Sequence, residues 1–322
     1  MQGLWQSYVE QGIPETAAQV MVNAKRTSTQ KQYDSYLKAW FDFCAQHQRD
    51  PFELDVPFGI SFLEQLRHNV GYSALNTARS ALSSILIPRD NVPFGQNRLV
   101  KLFMRGVYNI KPPQPRYVLT WDPQQVLNLL KTWNSPDTID LKLLTFKVVV
   151  LVLLVTGQRL QTVSLLSIDH MDIAKDSKRI TFTIYDFMKQ SRPGYKNPQI
   201  VLKSFSDVDI CVVTYMLAYI RRTRSVRTSP TLFISFKKPF NTVSKATLAR
   251  WVKCVMISSG IDVSIFKPHS IRGASTSAAL RGGAPVEDIL ASAGWTNNNV
   301  FAKYYQRSVQ ENNFDVAVLQ NK

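Results

Sequence analysis

The sequence predicts a mainly α protein of two domains, the first entirely helical and the second mixed α+β with a small antiparallel sheet. Three observations carry this. Across residues 28–108 apolar side chains recur at three- and four-residue spacing, as in helices that bury one face. At 109–118 three prolines stand within four residues, Pro112, Pro113 and Pro115, which forbids helix and favours a stiff linker. At 178–186 the period drops to two, Ile180, Phe182 and Ile184 alternating with Thr181, Thr183 and Tyr185. A chain of 322 residues is long enough for two cores.

Residues 1–27 read as a preamble ending in Lys25 and Arg26. Ser28 and Thr29 are then placed to cap a helix whose apolar face is Tyr33, Tyr36, Leu37, Trp40, Phe41 and Cys44. Helices are expected next at 56–68 and 73–86, the second capped by Ser73 and built on Leu75, Ala78, Leu82 and Ile85. Its other side carries Asn76, Thr77, Arg79, Ser80 and Ser83, groups that can touch a phosphate backbone but also make an ordinary solvated face. The last helix of this domain, 97–108, is basic through Arg98, Lys101 and Arg105, and the linker adds Lys111 and Arg116.

The second domain, 119–322, opens on the helix start Thr120-Trp121-Asp122-Pro123, with the helix running to Trp133. Residues 141–155 follow as a buried helix, because 148–155 are all apolar, with Lys147 before them and Arg159 after. Gly157 turns the chain into Arg159, beyond which Thr162, Leu165 and Leu166 keep helical spacing. Residues 199–202 return as the partner of the alternating strand, and Lys189 and Lys196 lie in the hairpin loop between them. Helices are expected at 208–222 and 242–260, the latter carrying Lys245, Arg250 and Lys253. Arg221, Arg222, Arg224 and Arg227 exceed what a helix C-terminus needs and are expected to face nucleic acid.

The formal net charge of +16 points to a polyanionic partner, DNA or RNA. Cys44, Cys211 and Cys254 have no paired spacing, which argues against a disulfide framework or zinc site and for a reducing compartment. The N-terminus lacks the charged and apolar regions of a signal peptide, and no apolar run is long enough to cross a bilayer. Neither a metal nor a nucleotide cofactor is expected. No Asp, Glu and His cluster has metal-ligand spacing, and no GxxxxGK[ST] loop is present.

What remains suits metal-free chemistry at a phosphodiester, by cationic clamps and an activated nucleophile. The groups are Arg159, Lys189, His269 and Arg272 one helical turn apart, Trp295 after Gly294, and the adjacent Tyr304 and Tyr305. Five stretches carry a family resemblance: Thr156-Gly-Gln-Arg159-Leu-Gln-Thr162, Met188-Lys189-Gln-Ser-Arg-Pro-Gly194, Pro268-His269-Ser-Ile-Arg272-Gly-Ala-Ser-Thr-Ser277, Ala293-Gly-Trp295 and Phe301-Ala-Lys-Tyr-Tyr305. In these the chain resembles the tyrosine site-specific recombinases, phage-integrase-type DNA breaking-rejoining enzymes. Within them it is most similar to those of eukaryotic DIRS- and Ngaro-like retrotransposons.

The resemblance implies a SAM-like helical core-binding domain at 28–108 and a catalytic domain of the DNA breaking-rejoining enzyme fold at 119–322. Arg159 and Arg272 would hold the non-bridging oxygens of the scissile phosphate. Lys189 would protonate the leaving 5′-oxygen, and His269 would be the proton-transfer partner. Trp295 takes the place that other members fill with histidine, where it can offer packing or one N–H. Thr162 stands where the family often has an acidic residue. The spacing of bacteriophage members selects Tyr304 as nucleophile, whereas the retrotransposon pattern Phe-x-Lys-aromatic-Tyr selects Tyr305. Adjacent helical residues point about 100° apart, so only one can face the phosphate; Tyr305 is the expected one.

DNA contacts are expected from Arg79, Arg98, Lys101, Arg105, Lys196, Lys245 and Arg250. The implied partner is double-stranded DNA with specific recombination sites, bound by a homo-tetramer on two duplexes, in integration or excision of a mobile element. No membrane partner is implied. A eukaryotic source would place the protein in the nucleus, and any other in the cytoplasm or nucleoid. Two other readings stay open at this stage: a domesticated, non-catalytic DNA-binding protein of the same fold, and a type IB topoisomerase-like activity.

Overall fold

The computed structural model describes residues 2–87, 92–186, 194, 198–295, 301–302 and 305–309. It divides into two compact units, Met1–Gln114 and Pro115–Lys322.

The first unit is helical: α1 (Gln2–Glu10), α2 (Glu15–Val22), α3 (Thr27–Gln46), α4 (Val56–Arg67), α5 (Tyr72–Leu82) and α6 (Arg98–Ile110). Its core joins Leu4 and Val22 to Leu37, Trp40, Phe62, Leu75, Leu82, Phe94 and Met104. Residues 2–22 therefore do more than precede the domain, since α1 and α2 contribute to its core. At the centre, Trp40 packs edge-on against Phe62 at 5.2 Å, and its indole N–H donates to the Pro51 carbonyl at 2.9 Å. Two expected caps differ. The α3 helix begins at Thr27 behind Arg26, and α5 begins behind Gly71, neither with a side-chain cap. Ser28, Thr29 and Ser73 thus lie inside first turns. Effective caps come from Asp55, which accepts from Phe58 N at 3.0 Å, and Asn97, which accepts from Leu99 N at 2.9 Å.

The second unit has α7 (Pro123–Lys131), α8 (Leu141–Thr156) and α9 (Leu160–Ser164), then strands β1 (Met171–Ile173), β2 (Arg179–Thr183) and β3 (Gln199–Lys203). After the sheet come α10 (Val212–Thr223), α11 (Lys245–Ser258), α12 (Ser270–Arg281) and α13 (Val286–Ala293). The α8 helix is its axis. It is buried without interruption from Leu144 to Leu153 and packs on α10, α11, α12 and β3. The sheet is antiparallel in the order β1-β2-β3, with Ile180 opposite Leu202 and Phe182 opposite Ile200. All four of these side chains are buried. The two longer strands follow the period-two pattern, while β1 is too short for its pattern to announce it. The loop bearing Lys189 and Lys196 lies outside the described residues.

The arginines at the C-terminal end of α10 and just beyond it also engage partners within the protein. Arg221 pairs with Asp137, Arg222 donates to the carbonyls of Pro136 and Ile139, and Arg227 donates to Thr231 O and Thr223 Oγ1. These contacts tie α10 to neighbouring loops, while Arg221 and Arg224 are exposed. Among the described residues, no helix is long and apolar enough to cross a membrane.

Candidate active site

The site is assembled around Arg272. The α12 helix runs Gly273, Ala274, Ser275, Thr276 and Ser277 after it, all small and all buried, which lets the helix approach its neighbours closely. Two helices end against the arginine. Both α8 and α13 stop at a left-handed glycine, Gly157 (φ 59°) and Gly294 (φ 68°). At Gly157 a side chain would be strained by φ, and its Cβ would lie 2.9 Å from Thr276 Cγ2. The Gly157 carbonyl accepts from Arg272 Nη1, as does the Ala293 carbonyl at 2.9 Å. Helix C-termini carry partial negative charge, so both ends hold the guanidinium.

That leaves part of the guanidinium unused. Arg272 is 0% exposed, yet its Nε and Nη2 have no hydrogen-bond partner among the described residues. Buried donors of a charged group without partners are costly, and an anionic ligand would satisfy them. The Trp295 indole N–H is also buried, without a hydrogen-bond partner among the described residues. Its ring lies 4.0 Å from Arg272 Cζ and 4.7 Å from the Tyr305 ring. Tyr305 places its hydroxyl 3.3 Å from His269 Nε2, and the two rings meet edge to face. His269 sits at the N-terminal boundary of α12, one turn before Arg272.

Positive charge dominates the electrostatics. Burial pushes the Arg272 pKa down, the like charge of Arg159 adds to this, and Tyr305 opposes it; a guanidinium is still protonated at neutral pH. His269 keeps an exposed edge, but protein atoms crowd the rest of its ring. Its pKa is lowered by that desolvation first, then by Arg272, Arg159, Arg116 and Lys245. A neutral imidazole beside a phenol can take its proton. Among the described residues, no group of three or more His, Cys, Asp or Glu side chains could hold a metal ion.

The structure thus brings together Arg159, His269, Arg272, Trp295 and Tyr305. Arg159 is half-buried before α9, two residues past the Gly157 turn, and Thr162 is buried within that helix. Lys189, Lys196 and Tyr304 lie outside the described residues. Lys245 and Arg250 are both exposed on α11, and of the two it is Lys245 whose charge reaches His269. In the first unit Arg98, Lys101 and Arg105 are exposed along one side of α6. Arg79 instead folds half-buried toward Gly95, whose carbonyl accepts from Nη1 at 3.4 Å.

Several supports had no local signal in the sequence. Gln158 donates to Ser292 O at 2.6 Å while Ser292 Oγ donates to Thr156 O at 3.0 Å, locking the ends of α8 and α13 together. Trp121 Nε1 donates to Ser270 Oγ at 2.8 Å, and Lys267 N donates to the Tyr117 hydroxyl at 3.1 Å, fixing the turn that carries His269. Each pairs residues far apart in the chain, so spacing could not reveal it.

Comparison with known proteins fits this site. The model of the Phage integrase family matches residues 120–311, more than half of the chain. No curated protein sequence matches significantly. Among solved structures, the chain is similar to a lambda integrase(75-356) dimer bound to a COC' core site. It is 13% identical, covering 96% of each chain, with a TM-score of 0.57. It is also similar to the XerH site-specific recombinase bound to difH substrate in a pre-cleavage complex, at 13% identity and TM-score 0.55, covering 84% of this chain and 70% of that one. A third is the Tn1549 transposon integrase in complex with transposon right end DNA, at 13% identity and TM-score 0.52, covering 83% and 84%. At such identities these likenesses establish the fold, and the family match spans every residue of the site. The chain belongs to the phage integrase family and is a tyrosine recombinase, an enzyme that cleaves and rejoins DNA strands.

Proposed function

We propose that Tyr305 is the nucleophile, and that it cuts one strand of a specific DNA site to leave a 3′-phosphotyrosyl intermediate. The Tyr305 Oη–P bond forms as the P–O5′ bond breaks. The phenolic proton passes to His269, and the 5′-oxygen leaves with a proton from Lys189, in the role the resemblance assigns it. Arg159 and Arg272 hold the non-bridging oxygens as charge builds on them. One phosphoester replaces another, so rejoining needs no nucleotide, and the arginines carry the charge that a metal ion would otherwise offset. The observation behind this reading is the buried Arg272, whose Nε and Nη2 have no partner among the described residues, beside a tyrosine whose hydroxyl is 3.3 Å from His269.

In the first unit Arg98, Lys101 and Arg105, and in the second Lys245 and Arg250, are exposed basic side chains that would each contact duplex DNA. Arg79 and Lys196 would add to them. A lambda integrase tetramer bound to a Holliday junction is among the similar structures, at TM-score 0.54, which supports a homo-tetramer acting on two duplexes. Phe301, Lys303 and Tyr305 support a DIRS- or Ngaro-type element whose DNA the enzyme integrates or excises, acting in the nucleus of its host. A reverse-transcriptase reading frame beside this gene would support that element type, and a bacterial neighbourhood would overturn it.

The chemistry is tested with a pool of 5′-labelled duplexes of randomised sequence, in chelator and without nucleotide. An SDS-stable protein–DNA adduct is expected, and Tyr305→Phe should abolish it. Salt-sensitive DNA binding without an adduct would overturn the proposal.

A further inference from the structure

The helix that carries Arg272 also holds the backbone of Tyr305. A turn and a half beyond Arg272, the Ser277 side chain is 2% exposed. Its hydroxyl donates to the Tyr305 carbonyl and accepts from Arg307 N at 3.1 Å. A serine hydroxyl has one proton to give and lone pairs to receive, and both capacities are used here. Tyr305 N donates to Phe301 O at 2.8 Å, and Thr120 N donates to Ser308 O at 2.9 Å. Arg281 Nη1 adds a bond to Arg307 O at 3.3 Å. The chain is thus pinned on both sides of the tyrosine, with Ser277 gripping the peptides immediately after it. The ring passes over Gly273, where an added Cβ would lie 3.6 Å from Tyr305 Cδ1.

A tyrosine side chain has two soft torsions, so the position of its backbone largely decides where its hydroxyl can go. Ser277 and Arg272 share one rigid helix. The bond from Ser277 therefore sets the height of the Tyr305 hydroxyl relative to any phosphate that Arg272 holds. Ser277 itself is buried, and its hydroxyl is engaged by Tyr305 O and Arg307 N.

We propose that Ser277 is a positioning residue for the nucleophile, acting through its hydroxyl on the Tyr305 backbone. This rests on the reading of Tyr305 as the attacking group. A misplacement of about 1 Å at a reacting atom can cost on the order of 100-fold in rate. A hydroxyl that sets this placement therefore influences the cleavage step and leaves DNA affinity alone.

The test compares wild type, Ser277→Ala, Ser277→Thr and Tyr305→Phe on the randomised duplex pool, reading DNA affinity and the single-turnover rate of adduct formation separately. Ser277→Ala should bind DNA within about twofold of wild type but form adduct roughly 10- to 100-fold more slowly. Ser277→Thr, which keeps the hydroxyl, should recover most of the rate. If Ser277→Ala does not fold, Ser277→Cys carries the comparison, since it keeps the volume and loses the strong donor. Adduct formation at the wild-type rate in Ser277→Ala, or a Ser277→Thr as slow as Ser277→Ala, would overturn the proposal. Adduct persisting in Tyr305→Phe would instead overturn the nucleophile assignment, a separate failure.

Discussion

The guanidinium carbon of Arg272 lies 4.0 Å from the Trp295 ring, and both side chains keep buried N–H groups with no partner among the described residues. The stacking holds the arginine plane in place, while two helix-end carbonyls occupy Nη1, and Nε and Nη2 have no hydrogen-bond partner among the described residues. A lysine at 272 is a point donor and cannot serve the carbonyls and a phosphate at once. Arg272→Lys should slow adduct formation about 100-fold or more, with a smaller effect on DNA affinity, as read by single-turnover trapping. An unchanged rate would show that the buried fork is not used.

Trp295 can be divided into ring and donor. Trp295→Phe keeps an aromatic face against Arg272 and Tyr305 but removes the indole N–H, and should lower the cleavage rate roughly tenfold. Trp295→His restores a donor and should lose less than the phenylalanine variant. If the two fall equally, packing is the whole contribution of Trp295.

His269 gives the reaction a pH dependence. Its pKa is lowered by desolvation and then by Arg272, Arg159, Arg116 and Lys245, so it stays neutral, and able to accept a proton, below the ordinary histidine value of 6.5. Adduct formation should hold through that value and decline only in more acid solution. Salt screens the surrounding cations, so higher ionic strength should move the decline to higher pH. His269→Gln should be slow and lack this acid limb. The same shift affects folding. The unfolded chain binds the proton first, so stability is full above 6.5 and lost as pH falls toward the folded value.

Lys147, away from the site, gives a second pH effect. It is 0% exposed, with Nζ donating to Leu130 O at 2.7 Å and lying 3.8 Å from the Tyr215 ring. Burial lowers its pKa from 10.5 to about 8, against the opposing pull of Asp209 and Asp207. Between these values the unfolded state holds the extra proton, so stability should rise with pH across that window. Thermal melting of Lys147→Met, which keeps much of the side-chain volume, should show a flatter pH dependence there. An identical pH dependence in both proteins would exclude Lys147 as its source.

Much of the site was legible because its key residues follow backbone signals that sequence displays. Gly157 and Gly294 announce helix ends, and Arg159 and Trp295 follow them closely, so the Thr-Gly-Gln-Arg and Ala-Gly-Trp stretches state both a fold event and a functional group. His269 and Arg272 share a helix face by their spacing alone. Ser277, Thr120 and Trp121 were not legible, because their bonds go to Tyr305, Ser308 and Ser270, distant partners that no periodicity selects. The arginines in the last turn of α10 show the converse. Their charge was plain in the sequence, but the carbonyls of Pro136 and Ile139 and the carboxylate of Asp137 that engage them were not. The α1 helix adds Leu4 to a core formed mainly by later residues, and so short a segment shows too little periodicity to declare it.

Attack on DNA by the hydroxyl beside His269 is read from the site of covalent attachment. The trapped adduct would be digested with protease and nuclease, and the nucleotide-bearing peptide sequenced by mass spectrometry. A nucleotide joined through its 3′-phosphate to Tyr305 is the predicted result. The same nucleotide on Tyr304, or on any other side chain, would contradict it.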